Sequence, residues 1–173
     1  TNDTVIILAN GAAGNSPITS SADPGYDTFT RALNYCTEQL AKKIAADGEG
    51  ASKFVTVRVT GAASYPDAYG VARHVTRYNL LKSCIWGEDF NWGRVAAAVG
   101  AAGVPLNPAT VSIRLMGILC FSNGEPVQYD QAQAQAAIKS REVLIEVDLG
   151  AGEHSATCWT CDLTPQYVEL NAT

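Results

Sequence analysis

The stretch "KFVTVRVTG", residues 53–61, alternates valine with polar residues. Successive side chains of an extended chain point to opposite sides, so Val55, Val57 and Val59 share one face. This pattern predicts a strand with one buried face. The preceding turn, "DGEGAS" (residues 47–52), contains two glycines suited to the end of a helix. The sequence therefore predicts a helix, a glycine-rich turn and a strand in succession.

Upstream of this turn, we predict a helix over about residues 27–46. It carries one apolar stripe, formed by Phe29, Leu33, Cys36, Leu40 and Ile44. "TVIILA", residues 4–9, is a short apolar run that ends at the turn-forming "NGAAGNSP". Such a run is typical of a short buried strand.

Downstream of Gly61, helices and strands continue to alternate. We predict helices over about residues 66–78, 92–102 and 131–140, strands at "TVSIRLMGILCF" (110–121), "EVLIEVDLG" (142–150) and "SATCWTCDL" (155–163), and a short final helix. Asp130 and Thr164 are placed to cap two of these helices, and Pro165 suits a first helical position. The fold class is α/β or α+β. The sequence pattern changes near Tyr65, which predicts two domains, residues 1–65 and 66–173.

Size, charge and cysteine content narrow the classes of function. The 173 residues have a net charge of −5, which argues against binding to nucleic acid or to anionic membrane surfaces. No apolar run approaches the roughly 20 residues that a membrane span needs. Five cysteines form an odd set that suits free thiols in a reducing cytoplasm.

Motifs for redox, metal or phosphate chemistry are weak. "CWTC" has redox spacing, but Cys158 and Cys161 lie in a predicted strand rather than at a helix start, so buried structural thiols are favoured. The two histidines, His74 and His154, lack metal-ligand spacing to a cysteine pair. "NGAAGNS" lacks the spacing of a phosphate loop. We expect no metal and no cofactor.

Two polar stretches have both a structural and a functional interpretation. "GEDFNWGR", residues 87–94, is either a turn whose Asn91 caps the next helix or the lining of a site. Glu49, between Gly48 and Gly50, is either a solvated turn carboxylate or a partner for a ligand amine, with the glycines allowing close approach of the backbone.

Several stretches in this order and spacing resemble the ornithine acetyltransferase family, also called bifunctional glutamate N-acetyltransferases. They are "TNDT", "DGEGASKFVTVRVTGA", "NWGR" and "VDLGAGEHSATCWTCDLTPQYVELNA". The resemblance runs the whole length and implies part of the β chain that this family produces by autocatalytic cleavage. "GEDFNWGR" and "DLTPQYV" depart from the commoner forms, which suggests the paralogue found in clavulanic acid gene clusters.

The resemblance implies an amino-terminal-nucleophile-like α/β sandwich shared with an α chain (residues 1–65) and a smaller C-terminal α/β domain (residues 66–173). It implies acetyl transfer from N-acetylornithine to glutamate, giving ornithine and N-acetylglutamate, in a cytoplasmic α2β2 or larger assembly. Glu49 and Asn171 match the family's substrate-binding glutamate and asparagine. The nucleophile and oxyanion hole match nothing in this chain, so we expect no catalytic residue here and do not assign the oxyanion hole to Thr60 and Gly61.

Two alternatives remain open at this stage. Thr1 could be the nucleophile of an amino-terminal-nucleophile amidohydrolase, since a terminal threonine carries both a hydroxyl and an adjacent amine base. The resemblance instead makes Thr1 the start of "TNDT". From a different class, the chain could be a non-catalytic module for small-molecule binding or assembly.

Overall fold

The computed structural model describes residues 3–172, so Thr1 and its proposed nucleophilic role lie outside the described residues. The chain forms two compact units that divide between Ile44 and Ala45. The helices are α1 (Tyr26–Ala46), α2 (Tyr65–Thr76), α3 (Asn79–Trp86), α4 (Trp92–Gly100), α5 (Gln131–Ala137) and α6 (Pro165–Asn171). The strands are β1 (Phe54–Ala62), β2 (Ser112–Leu115), β3 (Ile118–Ser122), β4 (Glu125–Pro126), β5 (Glu142–Asp148) and β6 (His154–Cys161).

In the first unit, the described residues before α1 are irregular and include turns, and most of α1 follows them. Helix α1 confirms the predicted helix, but it buries no residue, and its apolar stripe includes the exposed Phe29 and Leu40. The strand predicted at "TVIILA" is wrong for this chain, because residues 4–9 form no regular structure. A strand needs a neighbour for its backbone N–H and C=O groups, and none pairs with this segment among residues 3–172. Leu8 is 89% exposed as a result.

The second unit is built on a six-stranded mixed sheet of order β4-β3-β2-β5-β1-β6. Strand β1 runs parallel to β5 and antiparallel to β6, and the remaining neighbours are antiparallel. The predicted alternation in β1 is confirmed, since Val55, Val57 and Val59 are fully buried. Helices α2 and α4 pack on the sheet and contribute Val71, Val75 and similar side chains to the core.

The stretch predicted as one strand over residues 110–121 is instead a hairpin. Strands β2 and β3 pair through a tight turn at Met116 and Gly117, which have φ angles of +55° and +76°. Two successive positive φ angles define the turn type that matches the twist of antiparallel strands. The apolar character of both strands hid the turn, because methionine is an unusual residue at such a position.

The predicted helix caps are confirmed. The Asp130 side chain accepts a hydrogen bond from the Gln133 N–H, and the Thr164 hydroxyl accepts one from the Tyr167 N–H.

The domain boundary near Tyr65 stays a prediction about the assembled protein. Within this chain, β1 and α2 on either side of Tyr65 belong to the same compact unit. Among residues 3–172, no helix is both long and apolar enough to cross a bilayer.

Candidate functional site

The pairing of β1 with β6 brings together two segments that are far apart in sequence. Antiparallel pairing aligns Phe54, at the start of β1, with Cys161, at the end of β6. The turn that precedes β1 therefore lies beside the residues that follow β6 and lead into α6. Glu49 belongs to this turn, and Asn171 is the last residue of α6.

Glu49 and Asn171, the two residues that the resemblance singles out, are in direct contact. Asn171 Nδ2 donates to Glu49 Oε2 at 2.8 Å and to the Tyr167 carbonyl, also at 2.8 Å. Both side chains are exposed. Among residues 3–172, Glu49 Oε1 and Asn171 Oδ1 accept no hydrogen bond. Within the described part of the chain the pair therefore leaves two acceptor oxygens, one of them on a carboxylate, and such a pair suits an ammonium group with its three donors.

The glycines beside Glu49 let the turn approach the protein itself rather than open space for a ligand. A Cβ atom on Gly48 would lie 2.7 Å from the Cys161 sulfur, and one on Gly50 would lie 2.8 Å from the Tyr167 backbone nitrogen. Gly50 also has a φ of +69°, which favours glycine. The two glycines thus seat the turn against the end of β6 and the first turn of α6.

Asp162 anchors the other end of the turn. Its carboxylate, which is only 3% exposed, accepts hydrogen bonds from the backbone N–H groups of Ser52 at 2.9 Å and Lys53 at 3.0 Å. The Ser52 hydroxyl donates to the second carboxylate oxygen. A buried carboxylate with several donors is stabilised by charge-assisted hydrogen bonds. Asp162 therefore fixes the path of the chain between Glu49 and β1.

Lys53 is a buried cation with a structural role. Its Nζ donates to the carbonyls of Ile138, Lys139 and Ser140, which directly follow α5, at 3.0 to 3.2 Å. It also forms an ion pair with Glu88 at 3.1 Å. A cation at the carboxyl end of a helix pairs with carbonyls that have no hydrogen-bond partner inside the helix, and it interacts favourably with the helix dipole. The Lys53 ammonium group thus has partners within the protein for all three of its N–H donors.

The stretch "GEDFNWGR" serves the fold, so the structural interpretation of its two alternatives holds. Asn91 caps α4 by accepting from the Arg94 N–H, and its amide donates to Asp89 at 3.0 Å. Arg94 Nη1 donates to the Leu80 carbonyl at 2.7 Å. Glu88, at a φ of +55°, holds the Lys53 ammonium. These contacts join α3, α4 and the start of β1.

The five cysteines, all within the described residues, are free thiols. Cys158 packs against the core, and burial raises its pKa above the ordinary value. Cys161 contacts the turn at Gly48 instead, as expected for residues three apart in a strand. A raised pKa disfavours the reactive thiolate. In residues 3–172, no group of three or more His, Cys, Asp or Glu side chains is placed to hold a metal ion.

Sequence reasoning missed Asp162 and the second role of Thr164. The Thr164 hydroxyl caps α6, as predicted, but it also donates to the Gly50 carbonyl at 2.7 Å. The sequence indicates only one of the two roles of Thr164. A polar "DLTP" directly after a strand favours a cap, whereas the partner 114 residues away depends on how the strands pair.

The comparisons with known proteins identify the family. The family model described as the ArgJ family matches residues 1–173. This chain belongs to the ArgJ family.

Individual relatives agree with this assignment. The arginine biosynthesis bifunctional protein ArgJ of Symbiobacterium thermophilum is 47% identical over 171 residues, covering 99% of this chain and 42% of the relative. That of Lactiplantibacillus plantarum is 44% identical, with the same coverage of each. The mitochondrial ArgJ of Schizosaccharomyces pombe is 43% identical, covering 99% of this chain and 40% of its own length. This chain thus spans about two fifths of the curated relatives that it matches.

A solved structure gives the same result. The crystal structure of the arginine biosynthesis bifunctional protein ArgJ from Bacillus halodurans superposes with a TM-score of 0.91 at 39% identity, covering 99% of this chain and 81% of that one. The expected α/β fold class is confirmed, and it is the amino-terminal-nucleophile-like class of that neighbour.

Proposed function

We propose that this chain is part of the β chain of an ornithine acetyltransferase, a bifunctional glutamate N-acetyltransferase. The enzyme would move an acetyl group from N-acetylornithine to glutamate through an acyl-threonine intermediate. The family match supports the activity, and the curated relatives are named as bifunctional proteins of arginine biosynthesis. The nucleophile and the oxyanion hole are assigned to sequence outside residues 1–173, in line with a chain that spans 42% of a relative's length.

The observation that carries the proposal for this chain is the contact between Glu49 and Asn171. The two residues are 122 positions apart, yet Asn171 Nδ2 lies 2.8 Å from Glu49 Oε2. Substrates that share an α-amino-acid core carry an ammonium and a carboxylate group. The Glu49 carboxylate can pair with the ammonium, and Asn171 Oδ1 can accept a further hydrogen bond from it, because both Nδ2 hydrogens already donate to Glu49 and to the Tyr167 carbonyl. We therefore assign both residues to substrate binding.

The assembly and location belong to the same proposal. We infer an α chain from the same precursor as the partner, a heterotetramer of two α and two β chains or a larger assembly, and a cytoplasmic enzyme that needs no cofactor. The apolar residues 5–8, which are exposed here, would then meet sheet neighbours in the assembled sandwich. The departures in "GEDFNWGR" and "DLTPQYV" favour a secondary-metabolism paralogue, and a comparison of glutamate with other amine acceptors tests that assignment.

The test is made in the full-length precursor. Glu49→Gln and Asn171→Ala should each leave self-cleavage intact and lower kcat/KM for N-acetylornithine at least about tenfold, since a charged hydrogen bond contributes about 1.5–3 kcal/mol. Cleavage serves as the folding control. Glu125→Gln, an exposed carboxylate in β4, and Gln166→Ala, an exposed residue of α6, are matched controls that should behave like the parent.

Three outcomes would reject parts of this proposal. Parent-like kinetics in both site variants would make Glu49 and Asn171 an ordinary surface contact. A parent enzyme without acetyl transfer would reject the activity and favour a non-catalytic binding or assembly module. Intact-mass measurement of the native β chain that found Thr1 as its natural first residue would revive the amidohydrolase alternative.

A further inference from the structure

We propose that Thr164 is a positioning residue that holds the Glu49 carboxylate in register with Asn171. This inference rests on the proposed substrate-binding role of that pair and extends it to a residue that does not touch the substrate. The Thr164 hydroxyl donates to the Gly50 carbonyl at 2.7 Å and accepts from the Tyr167 N–H at 3.1 Å. One buried hydroxyl thus joins the residue after Glu49 to the helix that carries Asn171.

The pair needs such support because its own hydrogen bond is weak. Glu49 and Asn171 are both exposed, and water competes for every donor and acceptor of an exposed contact. Each side chain also loses rotamer freedom when it is held in one geometry. The relative position of the two must therefore come from the backbone segments that carry them.

The contacts at this point are short and partly buried. Thr164 is 5% exposed, and the Gly50 backbone lies so close to the first turn of α6 that an added Cβ atom would be 2.8 Å from the Tyr167 nitrogen. Asp162 fixes the other end of the turn through Ser52 and Lys53. With that end anchored, the hydrogen bond from Thr164 to Gly50 determines how closely Glu49 approaches α6.

The hydroxyl has two roles, capping α6 and holding Gly50, and three substitutions separate these roles from each other and from packing. Thr164→Val keeps the shape and removes both hydrogen bonds, whereas Thr164→Ser keeps both. Thr164→Asp keeps an acceptor for the Tyr167 N–H but has no hydrogen to donate to Gly50, and aspartate is a good cap. Ser64→Ala is the matched control, since Ser64 caps α2 through the Asp67 N–H and lies outside the site.

The variants are compared in the cleaved enzyme made from the full precursor. We expect Thr164→Val and Thr164→Asp to lower kcat/KM for N-acetylornithine about two- to tenfold, as a rise in KM, on the scale of one hydrogen bond. Thr164→Ser should stay within about twofold of the parent. Ser64→Ala should lower the melting temperature and leave KM unchanged.

A double-mutant cycle shows whether Thr164 acts through Glu49. In the Glu49→Gln background, adding Thr164→Val should change KM by less than about twofold, because the interaction that it positions is already lost. An undiminished effect in that background, parent-like kinetics in both Thr164→Val and Thr164→Asp, or an equal rise of KM in Ser64→Ala would overturn the proposal. If Thr164→Val does not fold, Thr164→Asp decides by the same criteria. Loss of activity in Glu49→Gln together with parent-like Thr164 variants would reject this inference and leave the proposed function standing.

Discussion

At the residue scale, some residues of the candidate site can be recognised from the sequence and others cannot. The residues alone leave Glu49 with two interpretations, since a glutamate between two glycines is ordinary turn composition, and only the resemblance assigns Glu49 and Asn171 to substrate binding. Their contact at 2.8 Å and the buried Asp162 became visible only with the pairing of β1 and β6. Side-chain hydrogen bonds across more than 100 residues leave no local pattern in sequence, so no analysis of periodicity could find them.

The cysteines lead to a prediction about reactivity. Cys158→Ser and Cys161→Ser together should leave acetyl transfer within a few-fold of the parent, because burial raises the pKa of Cys158 and disfavours its thiolate. The double variant should unfold at a lower temperature, since Cys158 packs against the core. Activity assays before and after mild oxidation check this. Oxidative inactivation that reductant reverses and the double variant lacks would show a redox role instead.

Cys84 provides a test of pH-dependent stability. Burial raises its pKa from 9.0 to about 11, with Asp89 adding to the effect and Arg94 opposing it. The folded state therefore holds the thiol proton more tightly than the unfolded state. Its stabilising contribution is complete below pH 9 and declines as the pH rises toward 11, by up to about 1.4 kcal/mol per pH unit.

The measurement is the difference in unfolding free energy between the parent and Cys84→Ala, determined by denaturant titration from pH 8 upward. The parent should be more stable at pH 8, since the alanine leaves a small cavity. The difference should shrink by about 1–2 kcal/mol on approaching pH 11. Other titrating groups contribute equally to both proteins and cancel. A constant difference across this range would show that Cys84 ionises equally easily in the folded and unfolded states.

At the scale of elements, the sequence predicted most helices and strands because their causes are local. The alternation in β1, the caps Asp130 and Thr164, and the stripe of α1 are all set by neighbours a few residues away. The failures have non-local causes. "TVIILA" has strand composition but pairs with no strand among residues 3–172, and two apolar strands flank the turn at Met116 and Gly117 and conceal it in the sequence.

The docking of the Glu49 turn on α6 gives a prediction with an internal control. Gly50 and Gly103 have nearly the same φ, +69° and +72°, so alanine meets the same backbone strain at both. A Cβ atom on Gly103 meets nothing within 4 Å, whereas one on Gly50 would lie 2.8 Å from the Tyr167 nitrogen. Gly103→Ala should cost about 1 kcal/mol of unfolding free energy. Gly50→Ala should cost clearly more and should also raise KM, because it separates the turn from α6.

Thermal unfolding and steady-state kinetics of the two glycine variants are compared in the assembled enzyme. Equal losses of stability at the two positions, with unchanged KM for both, would mean that the turn can shift away from α6 without consequence. The Gly103 variant thus measures the conformational penalty, and only the excess at Gly50 reports on the contact.

At the scale of the whole molecule, the most informative feature is apolar surface that the chain leaves exposed. Residues 5–8, Val-Ile-Ile-Leu, are 51 to 89% exposed, and α1 buries none of its 21 residues. A run of exposed, β-prone apolar residues without a strand partner is a template for pairing with another chain. Monomeric proteins seldom present such a surface. The first unit therefore has the character of one side of an interface.

We predict that residues 1–173, expressed without the rest of the protein, self-associate and do not transfer acetyl groups. The exposed apolar segment would drive association, and the nucleophile and oxyanion hole, each contributing orders of magnitude to acyl transfer, are assigned elsewhere. Light scattering coupled to size exclusion measures the association. Ile6→Lys with Leu8→Lys should reduce it, because charges on an unpaired edge oppose pairing. Co-expression with the remainder of the precursor should give a defined complex and restore activity. A monodisperse, catalytically active chain of these 173 residues would contradict both the interface and the division of the active site between two chains.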